Sequence, residues 1–178
     1  MLPLGFVIFP YLLKLVLKNS NNKYFYNFFL YGFFYGFGFL LIFLSWVYNP
    51  FLVYDATKPF VFLSILLPIL LSFFFGLSFL FYKFINKSIF FIILTPFIFL
   101  FVEFLISNFL YGFPWISYSL ILSNNLLGLY IIKFFGTLTS GFLIISFFIL
   151  PTLLFNFNKF KQLKILIILA YLPFLIVL

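Results

Sequence analysis

Cysteine, histidine and arginine are all absent from this sequence. Among its 178 residues only two are acidic, Asp55 and Glu103. Without thiols or imidazoles the chain provides no disulfide, no thiolate nucleophile, no imidazole base and no Cys/His metal site. The two carboxyl groups are far apart in the sequence, and no phosphate-binding loop is present. The sequence therefore predicts no catalytic residue in this chain, no metal site and no cofactor.

Charge is scarce, and most of it has one sign. Charged residues make up 7% of the chain and hydrophobic residues 67%, and the net charge is +8. Soluble domains average roughly 45–50% apolar and about 25% charged residues, so this composition predicts a protein whose solvent is lipid. All ten basic residues are lysines. They form short clusters between apolar runs rather than one basic face, so nucleic acid is not an expected partner.

The apolar runs predict an all-α membrane protein, a polytopic bundle of about six transmembrane helices in a single domain, 1–178. Lysine clusters between the runs mark cytoplasmic loops by the positive-inside rule. This topology places both termini of the chain on the outer side of the membrane. The last run is short for a full crossing, so we expect the chain to be incomplete. The predicted spans are 3–17, 25–47, 59–82, 88–107, 126–150 and 165–178.

Residues 108–125 carry no charge, yet glycine, proline, serine and asparagine interrupt them too often for a simple span. We interpret this stretch as an interfacial or re-entrant segment on the outer face. Near its start, Pro114 restricts Phe113 to extended geometry, and Gly112 permits a sharp reversal. Trp115 suits headgroup depth. These four residues predict a turn at the membrane surface; a helix stop with an aromatic anchor is the alternative interpretation.

Glu103 and Lys133 lie well inside predicted spans, whereas Lys14 lies near the cytoplasmic end of the first one. An acid within a span costs about 2.5–3.5 kcal/mol on insertion scales, so it usually faces a polar interior and has a partner. Our hypothesis is that Glu103 and Lys133 pair or share a polar cavity in the outer half of the bundle. The alternative is that Glu103 reaches the headgroup level while Lys133 snorkels outward.

Small residues in the second predicted span indicate close helix packing. Gly32 and Gly36 lie one helical turn apart, in the GxxxG pattern that lets another backbone approach. An incidental glycine pair in a compositionally biased chain is the alternative. The fifth predicted span contains a run of mostly small residues, 136–141.

Three stretches resemble a known family. EFLISNFLYGFPW, 103–115, resembles the Glu-Phe-Leu-Arg…Gly-Phe-Pro-Trp signature of bacterial apolipoprotein N-acyltransferase. YGFFYGFGFLLIFLSWVY, 31–48, is similar to the span that precedes this signature in the family, and GTLTSGFLI, 136–144, to the span that follows it. The order and spacing agree from about Pro3 to the end of the chain.

The resemblance implies an enzyme of the bacterial inner membrane, with eight spans and a nitrilase-like domain on the periplasmic face. Such enzymes move an acyl chain from a phospholipid to the N-terminal cysteine of a lipoprotein, through a thioester on a Glu-Lys-Cys triad. The chain would cover the second to seventh spans, with both termini periplasmic. Since it has no cysteine, we expect it to be inactive alone. It would be a fragment, a decayed product, or one part of a split enzyme whose nitrilase-like domain is separately encoded.

Two positions depart from the family pattern. Ile106 stands where the family has arginine, which removes a headgroup or carboxylate contact. Gly141 stands where serine or asparagine is usual, unless Ser140 takes that place.

The membrane part would anchor the catalytic domain and admit phospholipid and lipoprotein acyl chains laterally. Two other functions remain open: a small transporter or channel subunit whose charged residues line a path, and a structural membrane-assembly protein. The residues that we predict to form a lipid entry site are Glu103, Gly112, Phe113, Pro114, Trp115 and Lys133.

Overall fold

The computed structural model describes residues 8–19, 24–85, 87–109 and 116–152. Within these ranges all regular elements are helical, so the all-α class is confirmed for them. Short 3₁₀ helices connect several of the α-helices. The α-helices are α1 (Phe9–Asn19), α2 (Phe25–Phe43), α3 (Asn49–Val53), α4 (Leu63–Phe79), α5 (Ser88–Asn108) and α6 (Leu126–Ile149), and the 3₁₀ helices are Ser45–Tyr48, Lys58–Phe60, Leu80–Phe84 and Tyr118–Asn124.

Four helical stretches are long and apolar enough to cross a membrane: Phe25–Phe43, Lys58–Phe84, Ile89–Asn108 and Leu126–Ile149. They overlap four of the predicted spans and identify the chain as a membrane protein, and the last of them is broken at Gly136. Helices suit this solvent because each satisfies its own backbone hydrogen bonds where no water can do so. The predicted total of about six spans stays a prediction.

The number of spans depends on the first and last predicted spans. Of the first, the structure describes α1, whose 11 residues reach roughly 16 Å, against a hydrocarbon core of about 30 Å. The last predicted span, 165–178, lies outside the described residues.

Helices α2 and α4 pack closely through the glycine pair of α2. A Cβ atom added at Gly32 would lie 2.5 Å from the carbonyl oxygen of Phe75 and 2.6 Å from Cβ of Phe79. One added at Gly36 would lie 2.6 Å from Cβ of Phe75. Carbon atoms in contact normally stay at least about 3.5 Å apart, so both positions require glycine. The close packing predicted from the GxxxG pattern is confirmed.

A buried hydroxyl pair joins the end of the third predicted span to α5. Tyr82 has no exposed surface, and its hydroxyl donates to Oγ1 of Thr95 at 2.8 Å. The Thr95 hydroxyl donates in turn to the carbonyl oxygen of Phe91 at 2.6 Å. The Tyr82 and Phe91 rings stack with centroids 4.9 Å apart. This arrangement places a satisfied polar contact inside an otherwise aromatic core.

We expect Tyr82→Phe to lower the free energy of unfolding by about 1 kcal/mol, the ordinary contribution of one hydrogen bond. The ring stays in place, and Thr95 keeps its bond to Phe91. Unfolding in mixed detergent micelles measures the change. Tyr26→Phe is the matched control, since the Tyr26 side chain is 68% exposed. Equal stabilities for the two variants would contradict a stabilising hydroxyl pair.

Candidate functional site

Glu103 lies on the buried face of α5, although it is one of only two acids in the chain. Its side chain is 5% exposed, and Phe99, Val102 and Ile106 on the same face have no exposed surface. Phe104, the next residue along, is 54% exposed. The helix therefore turns the Glu103 carboxyl group into the bundle and the Phe104 ring outward. Glu103 does not point to the outside of the bundle.

The partners of Glu103 come from the chain that follows α5. The backbone N–H of Tyr118 donates to Oε2 of Glu103 at 3.3 Å. The Ser117 side chain lies close to the same carboxyl group. Ser117 also lies 2.9 Å, oxygen to oxygen, from the hydroxyl of Ser119. The short extended stretch before Tyr118 thus lies against the Glu103 carboxyl group of α5.

Helix α6 approaches the same carboxyl group through Gly141. A Cβ atom added there would lie 3.7 Å from Oε2 of Glu103 and 3.3 Å from Cδ2 of Leu100. The distance to the carboxyl group is an ordinary contact, and only Leu100 is close enough that it would have to shift slightly. Gly141, one of the two departures from the family pattern, therefore lies directly beside Glu103.

The three stretches that carry the family resemblance meet at this point. Phe39 belongs to the first, Glu103 to the second and Gly141 to the third. The ring of Tyr118 fills the space between them, with centroids 6.1 Å from Phe39 and 5.7 Å from Phe99. Ile106, the other departure, lies in the core one turn after Glu103. An apolar side chain suits that buried position.

Lys133 and Glu103 do not form an ion pair in the structure. The Lys133 side chain is exposed, whereas Glu103 is buried. In the described part of the chain the ion pair is Asp55–Lys58, with Nζ and Oδ1 2.5 Å apart on the surface. The pairing hypothesis is therefore not supported by the contacts. Of the predicted entry site, 112–115 lies outside the described residues, and its role stays a prediction.

Sequence analysis did not foresee a break inside α6. Gly136 has φ 77° and ψ 171°, so the helix consists of two arms, 126–135 and 137–149. The Ser140 hydroxyl donates to the carbonyl oxygen of Gly136 at 2.7 Å and approaches that of Ile131 at 3.4 Å. In a continuous helix residues 131 and 140 would be about 13 Å apart along the axis. The chain therefore doubles back at Gly136.

Comparison with known proteins identifies the family of this chain. The family model described as apolipoprotein N-acyltransferase N-terminal domain matches residues 1–150. Neither the curated proteins nor the solved structures gave a match. The matched range contains all three stretches that meet at Glu103. The chain belongs to the apolipoprotein N-acyltransferase N-terminal domain family.

Proposed function

We propose that this chain is the membrane part of an apolipoprotein N-acyltransferase, the enzyme that transfers an acyl chain from phospholipid to the N-terminal cysteine of lipoproteins. The family match over residues 1–150 carries the proposal. The meeting of three family-like stretches at Glu103 supports it. By this proposal the chain lies in the bacterial inner membrane, with both of its ends on the periplasmic side.

The bond-forming step belongs to another segment of polypeptide. A thioester intermediate forms on a cysteine thiolate, and this sequence contains no cysteine. A nitrilase-like domain with such a thiol, continuous with this chain or separate from it, would supply the nucleophile. The role left to the helices is to anchor that domain and to bring two lipid substrates to it. The chain alone is then inactive in acyl transfer.

Lateral entry fits the distribution of side chains on the Glu103 side of the bundle. Phe101 and Phe104 face outward from α5. The first arm of α6 carries Phe134, which is 80% exposed, next to the exposed cation Lys133. An ammonium group beside apolar surface suits a phospholipid, whose phosphate and acyl chains it would meet together. We therefore place the lipid contact at Lys133 and leave Glu103 inside the bundle.

The test uses the full chain in vesicles that contain phosphatidylethanolamine with a photoactivatable acyl chain. We expect labelling on the first arm of α6, and a synthetic diacylglyceryl-cysteine lipopeptide should compete with it. Lys133→Gln should reduce this phospholipid labelling about fivefold, the effect of losing roughly 1 kcal/mol of lysine–headgroup attraction. Lys58→Gln, a change at another exposed lysine, should leave the labelling unchanged.

Other outcomes would point to the remaining functions. Labelling that is even along all helices and insensitive to the lipopeptide would contradict the proposal. Ion or solute flux through the same vesicles, abolished by Lys133→Gln, would favour a channel or transporter subunit. With neither competition nor flux, a structural assembly role would stand.

A further inference from the structure

The stretch from Ser117 to Gly141 begins and ends at one carboxyl group. The Tyr118 N–H donates to Oε2 of Glu103 at 3.3 Å, and a Cβ on Gly141 would lie 3.7 Å from the same atom. Both ends therefore lie at the same depth beside α5. A chain that leaves and returns at one depth has not crossed the bilayer between those points.

The lengths of the intervening elements agree. The 3₁₀ helix Tyr118–Asn124 has 7 residues and reaches roughly 14 Å. The first arm of α6, 126–135, reaches roughly 15 Å at 1.5 Å per residue. Each is about half of the roughly 30 Å hydrocarbon core. We name residues 116–135 the re-entrant unit.

The re-entrant unit is fastened within itself. The Asn125 side chain caps the first arm, because its Oδ1 accepts the Gly128 N–H at 2.6 Å. Gly128 packs so tightly on the 3₁₀ helix that an added Cβ would lie within bonding distance of the carbonyl oxygen of Leu122. Outside the unit, Ser140 of the second arm approaches Ile131 and is one of the contacts that attach the unit to the bundle. The unit can therefore move as one body if its attachment to the bundle is released.

The outward surface of the unit is strongly apolar. Leu126 is 74% exposed, Leu127 78% and Phe134 80%. Such a surface favours a position in lipid over one in water. In lipid, however, the Tyr118 N–H cannot bond to water and needs a partner from the protein.

We propose that Glu103 is a positioning residue that latches the re-entrant unit into one leaflet of the bilayer. Its carboxyl group provides the acceptor that the Tyr118 N–H needs at that depth. The buried acid is then explained by attachment of a chain segment and not by contact with substrate. This role goes beyond the proposed function and holds whichever lipid or protein the unit serves.

The natural absence of cysteine permits a direct test with single-cysteine reporters. Leu127→Cys and Phe134→Cys report on the unit, and Ile65→Cys, at a 48% exposed position of α4, reports on the rest of the bundle. The chain is placed in vesicles, and the rate of reaction with a membrane-impermeant maleimide is measured. With Glu103 intact, we expect slow labelling at residues 127 and 134.

Glu103→Leu should raise labelling at residues 127 and 134 by roughly tenfold, because leaving the buried Tyr118 N–H without its acceptor shifts an opening equilibrium by about that factor. Labelling at residue 65 should stay constant. Glu103→Gln, whose amide oxygen still accepts the Tyr118 N–H, should restore slow labelling. A general loss of stability would not be rescued in this way and would also change residue 65.

Three results would overturn the proposal: fast labelling at residue 127 with Glu103 intact, unchanged labelling in Glu103→Leu, or equal behaviour of the Gln and Leu variants. If Glu103→Leu fails to fold, Glu103→Asp serves instead. Its carboxyl group is one methylene shorter and withdraws from the Tyr118 N–H. A smaller rise at residues 127 and 134 supports the latch, and no rise contradicts it.

Discussion

Gly32→Leu is expected to destabilise the folded chain by at least about 3 kcal/mol, at the upper end of what overpacking costs in protein cores. The first added atom already meets the backbone carbonyl oxygen of Phe75 at 2.5 Å and Cβ of Phe79 at 2.6 Å. Neither of these atoms can move by rotating a side chain. Helices α2 and α4 would have to separate, and the aromatic contacts between them would be lost. Unfolding in mixed micelles, followed by helix content, measures the change.

Gly38→Leu is the matched control on the same helix. A Cβ atom at Gly38 meets nothing within 4 Å. Replacing glycine inside a helix removes backbone entropy from the unfolded chain and stabilises by roughly 0.5–1 kcal/mol. The two substitutions are thus expected to have opposite signs, although each adds the same side chain to α2. Equal effects would contradict the packing of α2 on α4 through Gly32.

The same contact shows how much of the fold could be predicted. The spacing of Gly32 and Gly36 predicts that some backbone comes close, because small residues one turn apart form a groove. The sequence does not say which helix fills that groove. Helix α4 is apolar on every face, so its pattern singles out no side for Phe75 and Phe79. Which helix packs against the groove depends on the shapes of the two helix surfaces, and the spacing of apolar residues in the sequence does not show these shapes.

The candidate site could be predicted only in part, for a similar reason. An acid inside a span indicates a buried partner, and Glu103 has one. The expected partner was Lys133, because charges are visible in a sequence. The structure instead provides the backbone N–H of Tyr118. Every residue but proline carries a backbone N–H, so no residue pattern indicates which one will be used.

The break in α6 could not be predicted from the sequence, for a different reason. Residues on both sides of Gly136 are apolar and helical, and a single glycine is tolerated in many helices. The run of small residues around Gly136 was visible, but it fits close packing as well as a reversal. Only the backbone angles of Gly136 distinguish one crossing helix from two arms.

Gly136→Ala is therefore the second substitution from which we expect a large effect. It should change the angle between the two arms of α6 as well as the stability of the protein. The conformation of Gly136, φ 77° and ψ 171°, belongs to a region that is essentially restricted to glycine, and holding another residue there costs of order 1–3 kcal/mol. Nothing lies within 4 Å of the position where a Cβ would sit, so this cost comes from the backbone alone. Alanine relieves it by becoming helical.

Straightening would move the two arms apart. Spin labels on cysteines introduced at residues 130 and 139, where both side chains are exposed, report their distance by pulsed electron resonance. We expect Gly136→Ala to lengthen it by about 10 Å, towards the separation of a continuous helix. Gly38→Ala, at the unobstructed glycine of α2, should leave it unchanged. An unaltered distance in Gly136→Ala would show that contacts such as Ser140 to Ile131, and not the backbone angles of Gly136, hold the reversal.

The break at Gly136 also decides whether α6 can cross the membrane as one helix. A continuous α6 of 24 residues would extend roughly 36 Å, enough to cross the roughly 30 Å core by itself. With the reversal, the first arm returns towards Glu103 and only the second arm runs alongside α5. A change at one glycine would thus turn the apolar surface at Leu127 and Phe134 from part of a re-entrant unit into part of a crossing helix. Maleimide labelling at residue 127 in Gly136→Ala, measured from each side of the membrane, distinguishes the two arrangements.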